Sequence, residues 1–414
     1  LILKQGQVAA LPDGRKGFAR KGVRRDCIYA PLKVFVIACK YKSDYPLLNG
    51  MVLGLKPDEF DAKVCYLAGS PDGKNTLDRY GKALYLENRQ KVSWPKRLAA
   101  LVGVLRKEKP DIIHCHRHQS VIYGLSAAFL ARIRPAIISH VHGARRTRSL
   151  RRRLMNAFLF KRVDRVVAVS DGVKEDILET NFGLAPGKVS AVYNGIKTGA
   201  VDAGRVARER AREKLGIPEG VMVFGTVGRL VPKKRQALLI EAFAGVLETI
   251  PSARLVVVGD GPLREELEKK AMAAGISGSV KFLGFRRDVP ELLPGFDAFV
   301  FTSRDEGLPL ALLEAMDASL AAVATGACGV TEVYEKSEGP FGKLVLSVEP
   351  RRFAEAMIEV GLLSSDERRR LGENAARTVS KNYSIEAMCK GLESVYREVL
   401  SKKNDGHLCR TESL

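Results

Sequence analysis

Two doubly wound α/β domains facing each other across a cleft are what this sequence predicts, and three observations carry that reading. Short continuous apolar runs, the signature of strands buried on both faces of a parallel sheet, alternate with longer helical stretches along nearly the whole chain. The alternation breaks once, in the polar text from Lys197 to Gly204, and then restarts. A chain of 414 residues with 46% hydrophobic content is long enough to bury two cores.

Residues 1–31 are polar and basic with no hydrophobic period, and they read as a leader outside the fold. Order begins at Leu32 with LKVFVIAC, and the first domain runs over 32–197. Its further strands are expected at Lys63–Leu67, Asp111–Cys115, Ala136–Val141, Arg165–Ser170 and Lys188–Tyr193. Helices at Trp94–Glu108, Ser120–Arg132 and Arg148–Arg162 separate several of them. In the second domain, 205–383, strands are expected at Val221–Val227, Arg254–Gly259, Val280–Leu283, Ala298–Thr302, Leu320–Ala324 and Lys343–Leu346. A helix over 384–400 and a tail over 401–414 complete the chain. The cleft between the domains is the default site.

Composition narrows the partners. No apolar run approaches the length of a membrane span and the N-terminus has no signal-peptide hydrophobic region, so a cytoplasmic protein is expected. The seven cysteines are scattered without paired spacing and read as reduced thiols. The formal charge of +21 is lopsided: residues 1–200 hold 37 Lys and Arg against 16 Asp and Glu, the remainder 31 against 31. A first half with so strong a field should meet a polyanion, whether an anionic membrane face, a phosphorylated glycolipid or nucleic acid.

The most informative segment is FTSRDEGLPLALLEAM, from Phe301 to Met316. A strand end runs through a polar turn into a helix, so Glu306 and Glu314 bracket a helix N-terminus, whose free N–H groups and dipole attract a phosphate. Carboxylates beside an anion site make sense for a sugar nucleotide, with Glu306 facing the sugar and Glu314 the ribose. The competing reading is an ordinary amphipathic helix with two solvated glutamates. A second segment, TVGRLVPKKR from Thr226, places Arg229 and Lys234 in the loop beyond a strand's carboxyl end, where open parallel sheets bind ligands. A planar fork and a compact point charge suit a diphosphate that gains charge as it leaves.

Together with VVVGDGPLREELE from Val256, VKFLGF from Val280, VAVSDGVKEDI from Val167 and VYNGI from Val192, these segments resemble the family 4 (group 1) retaining glycosyltransferases of the GT-B fold. The resemblance runs from about Leu32 to near Val399. It implies that Glu306 and Glu314 are the family's Glu-x7-Glu pair and that Arg229 and Lys234 bind the donor phosphates. Gly307, Leu308 and Leu310 would complete the donor-binding set. His142, in SHVHG at a strand end, matches the family's histidine that reaches the donor sugar across the cleft, so His142 and Glu306 are the expected catalytic pair. His140, two residues back, is the alternative, but only His142 sits at the strand's carboxyl edge.

His114, His116 and His118 end another strand. Spacing i, i+2, i+4 along an extended strand spreads three rings over roughly 13 Å, too far for one metal ion unless the chain turns after His116. His114 reads as a core histidine, His116 and His118 as acceptor-side residues, and Arg145 joins them there. No Asp-x-Asp pair occurs, so neither metal nor other cofactor is expected. The arginine-rich stretch from Arg145 to Arg165 interleaves Leu150, Leu154 and Phe158 at i, i+4, i+8, an apolar stripe flanked by cations. That stripe packs on the sheet or rests on anionic lipid.

Two departures from the family pattern stand out. KYKSDYPLLNG, from Lys40 to Gly50, holds one glycine where relatives pair two near the donor phosphate, and Cys328-Gly329-Val330-Thr331-Glu332 opens with a cysteine where glycine is usual. The function expected is transfer of a sugar from a nucleotide-diphosphate sugar to a glycan or glycolipid acceptor, such as a lipopolysaccharide core. A nucleotide-sugar epimerase of the same architecture is the alternative. A nucleic-acid-binding protein is disfavoured because few aromatics interleave the basic residues.

Overall fold

The structure, a computed structural model, describes residues 30–41, 45–86, 92–143, 150–181, 183–199, 201 and 204–411. Residues 1–29 of the expected leader, Arg145, Arg148 and residues 412–414 lie outside the described residues.

The apolar runs form two sheets, each wholly parallel. The first contains β1 (Leu32–Ala38), β2 (Phe60–Tyr66), β3 (Ala83–Tyr85), β4 (Ile112–His116), β5 (Ala136–Val141), β6 (Arg165–Ala168) and β7 (Val189–Ala191), in the order β3-β2-β1-β4-β5-β6-β7. The second contains β8 (Val223–Val227), β9 (Arg254–Val258), β10 (Val280–Gly284), β11 (Ala298–Phe301), β12 (Ala321–Thr325) and β13 (Gly342–Val345), in the order β10-β9-β8-β11-β12-β13. Both orders reverse direction once, between β1 and β4 and between β8 and β11. Helices on both faces splay apart at such a point and leave a crevice at the strands' carboxyl ends.

The strands are buried on both faces, which is why they read as unbroken apolar runs. Phe35 and Ile37 of β1 pack with helix Trp94–Glu108 on one side, while Val34 and Val36 pack on the other. That other side is covered by the final helix, Ile385–Thr411, through Met388, Leu392, Tyr396 and Val399. The chain thus returns to the first sheet after completing the second. The two connections between the sheets are hydrogen-bonded, Ile196 N to Tyr383 O at 2.8 Å and Ile385 N to Ile196 O at 3.0 Å. No helix among the described residues is long and apolar enough to cross a membrane.

Four details differ from the sequence reading. Residues 401–411, read as a tail, continue the final helix. Gly50, read as the glycine of a phosphate-approach loop, lies inside helix Pro46–Gly54, whose Leu47, Leu48, Met51 and Val52 are buried. A Cβ there would meet Ile385 Cδ1 at 2.6 Å, so this glycine serves packing against the final helix. Edge strand β3, three residues long, has too short a pattern to be read. His118 does not prolong β4: Arg117, at φ 73°, turns the chain and His118 opens helix His118–Ala131.

Candidate active site

Arg229, Lys234, Glu306 and Glu314 come together at the crevice between β8 and β11. Beyond β8 the chain turns at Gly228 and Arg229, held by a hydrogen bond from the buried Gln236 Nε2 to Arg229 O at 3.0 Å. Gly259, after β9, fits against this turn at φ 134°, where a Cβ would lie 1.9 Å from Gly228 O; only glycine permits both the torsion and the approach. The loop after β11 is bonded to the same turn, with Arg304 N donating to Lys233 O at 2.8 Å and Thr302 Oγ1 to Lys234 O at 2.9 Å.

These bonds bring Lys234 Nζ to 2.7 Å from Glu306 Oε1 and 4.8 Å from the Phe301 ring centroid. Ser303 Oγ donates to the same carboxylate oxygen at 2.5 Å. Glu306 is therefore pinned from two sides through Oε1 in a mostly buried position, which leaves the lone pairs of Oε2 outside these two bonds. Arg229 is exposed and makes no ion pair among the described residues. Leu308 is buried and Leu310 opens helix Leu310–Asp317, which no side chain caps. Glu314, in its second turn, reaches water, yet burial pushes its carboxyl up to about 7. Both hold for a residue on the wall of a cleft, where water touches the side chain while protein fills much of the space around it.

The other wall of the cleft meets this one at Gly307. A Cβ on Gly307 would lie 2.7 Å from His142 O and 2.9 Å from Gly143 Cα, so glycine alone lets the two units touch there. His142 leaves β5 at its carboxyl end, and behind it stands a ladder of histidines on one face of β4 and β5, where His116 pairs with His140 in register. His116 Nδ1 lies 2.8 Å from His142 Nε2, His114 Nε2 lies 3.0 Å from His140 Nδ1, and His114 Nδ1 lies 2.7 Å from the Tyr396 hydroxyl. Burial holds His114, His116 and His140 well below the usual imidazole range, so these three rings are neutral. One proton serves the N–H···N bond between His116 and His142, so His116 fixes the ring plane of His142.

Nitrogens of His114, His116 and His140 lie within 4.8 Å of one another, a closeness the sequence reading did not anticipate. It arises because β5 supplies the third ring. The planes of His114 and His116 are inclined by only 17°, and in-plane lone pairs of stacked rings diverge from a common point, so the arrangement favours a hydrogen-bonded ladder over a metal cage.

Of the acceptor-side residues, His116, largely buried beside His142, lines a cavity of 300 Å³ with it, and His118 lines one of 650 Å³ that His142 also lines. The Arg145 assignment lies outside the described residues. Two contributors were missed. Ser303, which orients Glu306, resembles any turn serine until the turn is folded. Glu332, in the stretch opened by Cys328, reaches across to the first unit: its carboxylate accepts from Asp171 N at 3.0 Å and Gly172 N at 3.2 Å, capping helix Asp171–Thr180, and the Tyr193 hydroxyl donates to it. Cys328 opens helix Cys328–Glu335, and its thiol lies against Gly172.

Comparison with known proteins places the geometry. The profile described as Glycosyltransferase Family 4 matches residues 51–199, and that described as Glycosyl transferases group 1 matches 207–378. An Escherichia coli protein named as a UDP-Gal:alpha-D-GlcNAc-diphosphoundecaprenol alpha-1,3-galactosyltransferase is 32% identical over 244 residues, covering 56% of this chain; the chain spans 62% of that protein's length. The lipopolysaccharide core biosynthesis glycosyltransferase LpsE of Rhizobium meliloti is 29% identical over 244 residues, 59% of this chain and 66% of the relative. Among solved structures, Anabaena HepE in complex with UDP and glucose superposes with a TM-score of 0.75 at 21% identity, covering 89% of this chain and all of the other, a likeness of fold.

Proposed function

Because the chain belongs to the family 4 (group 1) glycosyltransferases and has their GT-B fold, we propose that it moves a sugar from a nucleotide-diphosphate sugar to an acceptor hydroxyl with retention of the anomeric configuration, in the assembly of a surface glycan such as lipopolysaccharide. The observation that carries this reading is that Glu306, braced by Lys234 and Ser303, precedes Gly307, which packs against the backbone of His142 and Gly143 from the other unit. Arg229, Lys234 and the uncapped N-terminus of helix Leu310–Asp317 hold the diphosphate, and Glu314 takes the ribose hydroxyls. Glu306 accepts from a sugar hydroxyl, and His142, its ring held by His116, bonds the sugar beside the leaving phosphate.

In a front-face displacement the C1–O bond to the phosphate breaks as the acceptor oxygen bonds C1 from the same face, and the acceptor proton passes to the departing phosphate oxygen. Positive side chains and helix N–H groups meet the charge that develops on the diphosphate, so the reading invokes no metal or other cofactor. The names of the relatives, one acting on a diphosphoundecaprenol-linked sugar and one in lipopolysaccharide core biosynthesis, support a glycolipid acceptor. A screen of nucleotide sugars, followed by proton NMR of the product, tests the reading. Product of the donor's own anomeric configuration is expected. An inverted anomer overturns retention, and conversion of the nucleotide sugar without acceptor to an isomeric one points to an epimerase.

An anionic membrane is part of the proposal, at its cytoplasmic face. In helix Leu150–Arg162 the stripe does not pack on the sheet: Leu150, Leu154 and Phe158 are 71%, 67% and 56% exposed, whereas Asn156, Leu159 and Phe160 are buried. The Arg162 guanidinium lies 3.4 Å from the centroid of Phe158. Apolar residues facing outward among cations suit insertion at the headgroup boundary. Wild-type protein should co-sediment with vesicles containing acidic lipid at low salt. Leu154→Ser with Phe158→Ser should weaken that binding at least tenfold, since each buried side chain contributes about 1.5–3 kcal/mol. Wild-type protein remaining in the supernatant at low salt removes the membrane from the reading.

A further inference from the structure

Two carboxylates, a tyrosine and a lysine that the donor site does not use lie where helix Cys328–Glu335 of the second unit meets helix Asp171–Thr180 of the first. Glu332 is buried there, and its two oxygens accept from Asp171 N and Gly172 N of the other unit at 3.0 and 3.2 Å. The Tyr193 hydroxyl, also from the first unit, donates to the same carboxylate. A second link runs the opposite way: Lys336 Nζ, from the second unit, lies 2.5 Å from Asp171 Oδ2 and 2.6 Å from the Tyr193 hydroxyl oxygen. The two units are thus joined by charged groups as well as by the hinge strands.

Helix Asp171–Thr180 does not need Glu332 in order to form. Its own Ser170 side chain accepts from Val173 N at 3.2 Å, the usual N-cap bond, and the carboxylate from the other unit takes two of the N–H groups that remain. In an open cleft water would solvate those N–H groups and the carboxylate, so the bonds favour the closed arrangement without being a condition of folding.

This contact is tied to the site on both sides. One turn before Glu332, Gly329 N donates to Glu306 O at 3.2 Å, and a Cβ on Gly329 would lie 2.3 Å from Gly307 O, so the start of helix Cys328–Glu335 is seated on the turn that carries Glu306. In the first unit, helix Asp171–Thr180 follows β6, which pairs with β5 up to Val141, the residue before His142. A carboxylate that holds the two helices together therefore holds Gly307 against the His142 backbone, where the walls of the cleft meet.

We propose that Glu332 is a positioning residue for sugar transfer, a latch that stabilises the closed cleft and so brings the donor held by the second unit up to His142. It acts through the two helices and lies outside the donor-binding set. The inference rests on the glycosyltransferase reading and adds to it the residue that governs closure.

The test uses a cross-link of which the interface already holds one half. A Cβ at Gly172 would lie 3.8 Å from Cys328 Cβ, the spacing of a disulfide, so Gly172→Cys should join the two units through native Cys328 when diamide oxidises the pair, and Gly172→Cys with Cys328→Ser should not. The bond forms only while the cleft is closed, so its rate of formation follows the closed population. Adding Glu332→Gln, which keeps the volume but turns an amide donor toward a backbone N–H, should slow the cross-link about tenfold. In the otherwise wild-type chain, Glu332→Gln should lower turnover at saturating donor and acceptor about tenfold with UDP affinity and melting temperature unchanged, a split that a role in folding or in donor binding would not give. The proposal is overturned if Gly172→Cys forms no cross-link, if Glu332→Gln leaves the cross-linking rate or the turnover as it was, or if UDP affinity or melting temperature falls along with turnover. Cross-linking requires no sugar transfer, so a wild type that transfers no sugar counts against the proposed reaction, whereas an unchanged cross-linking rate counts against the latch.

Discussion

Glu306→Ala lowers turnover at saturating donor by on the order of a hundredfold or more, with UDP affinity changed far less. The expectation follows from how this carboxylate is held. Ser303 and Lys234 bond one oxygen from the protein side, so the side chain needs little reorganisation to accept from a sugar hydroxyl whose hydrogen bond strengthens as positive charge develops at C1. The truncation leaves Lys234 without its partner in a half-buried position but creates no cavity in the core, so folding should survive. Kinetics with the donor sugar, alongside a melting curve, provide the check. A folded variant with near-wild-type turnover would remove Glu306 from the catalytic pair.

Arg229→Ala and Lys234→Ala should each weaken UDP binding by about 1.5–3 kcal/mol, the range for losing a hydrogen bond to a charged group. The two variants should differ in turnover. Arg229 is exposed and makes no ion pair among the described residues, so its loss removes a phosphate contact alone. Lys234 also braces Glu306, so its loss should depress turnover further, and Lys234→Ala combined with Glu306→Gln should cost less than the sum of the single changes. Unchanged UDP affinity in both single variants, measured by calorimetry, would take the donor phosphates elsewhere. Run at two pH values, the same titration reports on Glu314. Its carboxyl, pushed up to about 7 by burial, is increasingly protonated as pH falls through 7. A hydrogen bond from ribose to the carboxylate is lost in that direction, so affinity should be lower at pH 6 than at pH 8. UDP itself gains a proton over this range, and the part of the change that vanishes in Glu314→Gln belongs to the glutamate.

Much of this molecule is legible in one dimension, because buried parallel strands must be apolar on both faces and their connecting helices must be amphipathic. LKVFVIAC, RLVVVG and DAFVFTS announce strands without any knowledge of their neighbours. The polar break after Lys197 announces two units, and the placement of Arg229, Lys234, Glu306 and Glu314 at strand ends and a helix start follows from the same pattern. What the pattern does not hold is anything set by a partner distant in the chain. Gly50 reads as loop glycine until Ile385 packs against it. The stripe of Leu150, Leu154 and Phe158 has the same period whether it faces the sheet or water, and periodicity says only that one face is apolar.

Chain order by itself determined which side chains stand at the carboxyl ends of strands, since that depends on local hydrophobicity and turn chemistry. Only the tertiary structure decided which of them meet. Strand order placed β8 beside β11 and so joined Lys234 to Glu306; pairing of β4 with β5 set His116 behind His142; and the return of the final helix brought Tyr396 to His114. Those meetings join residues about 70 apart where parallel strands pair and 282 apart where the final helix packs on the first sheet, and no local preference encodes them.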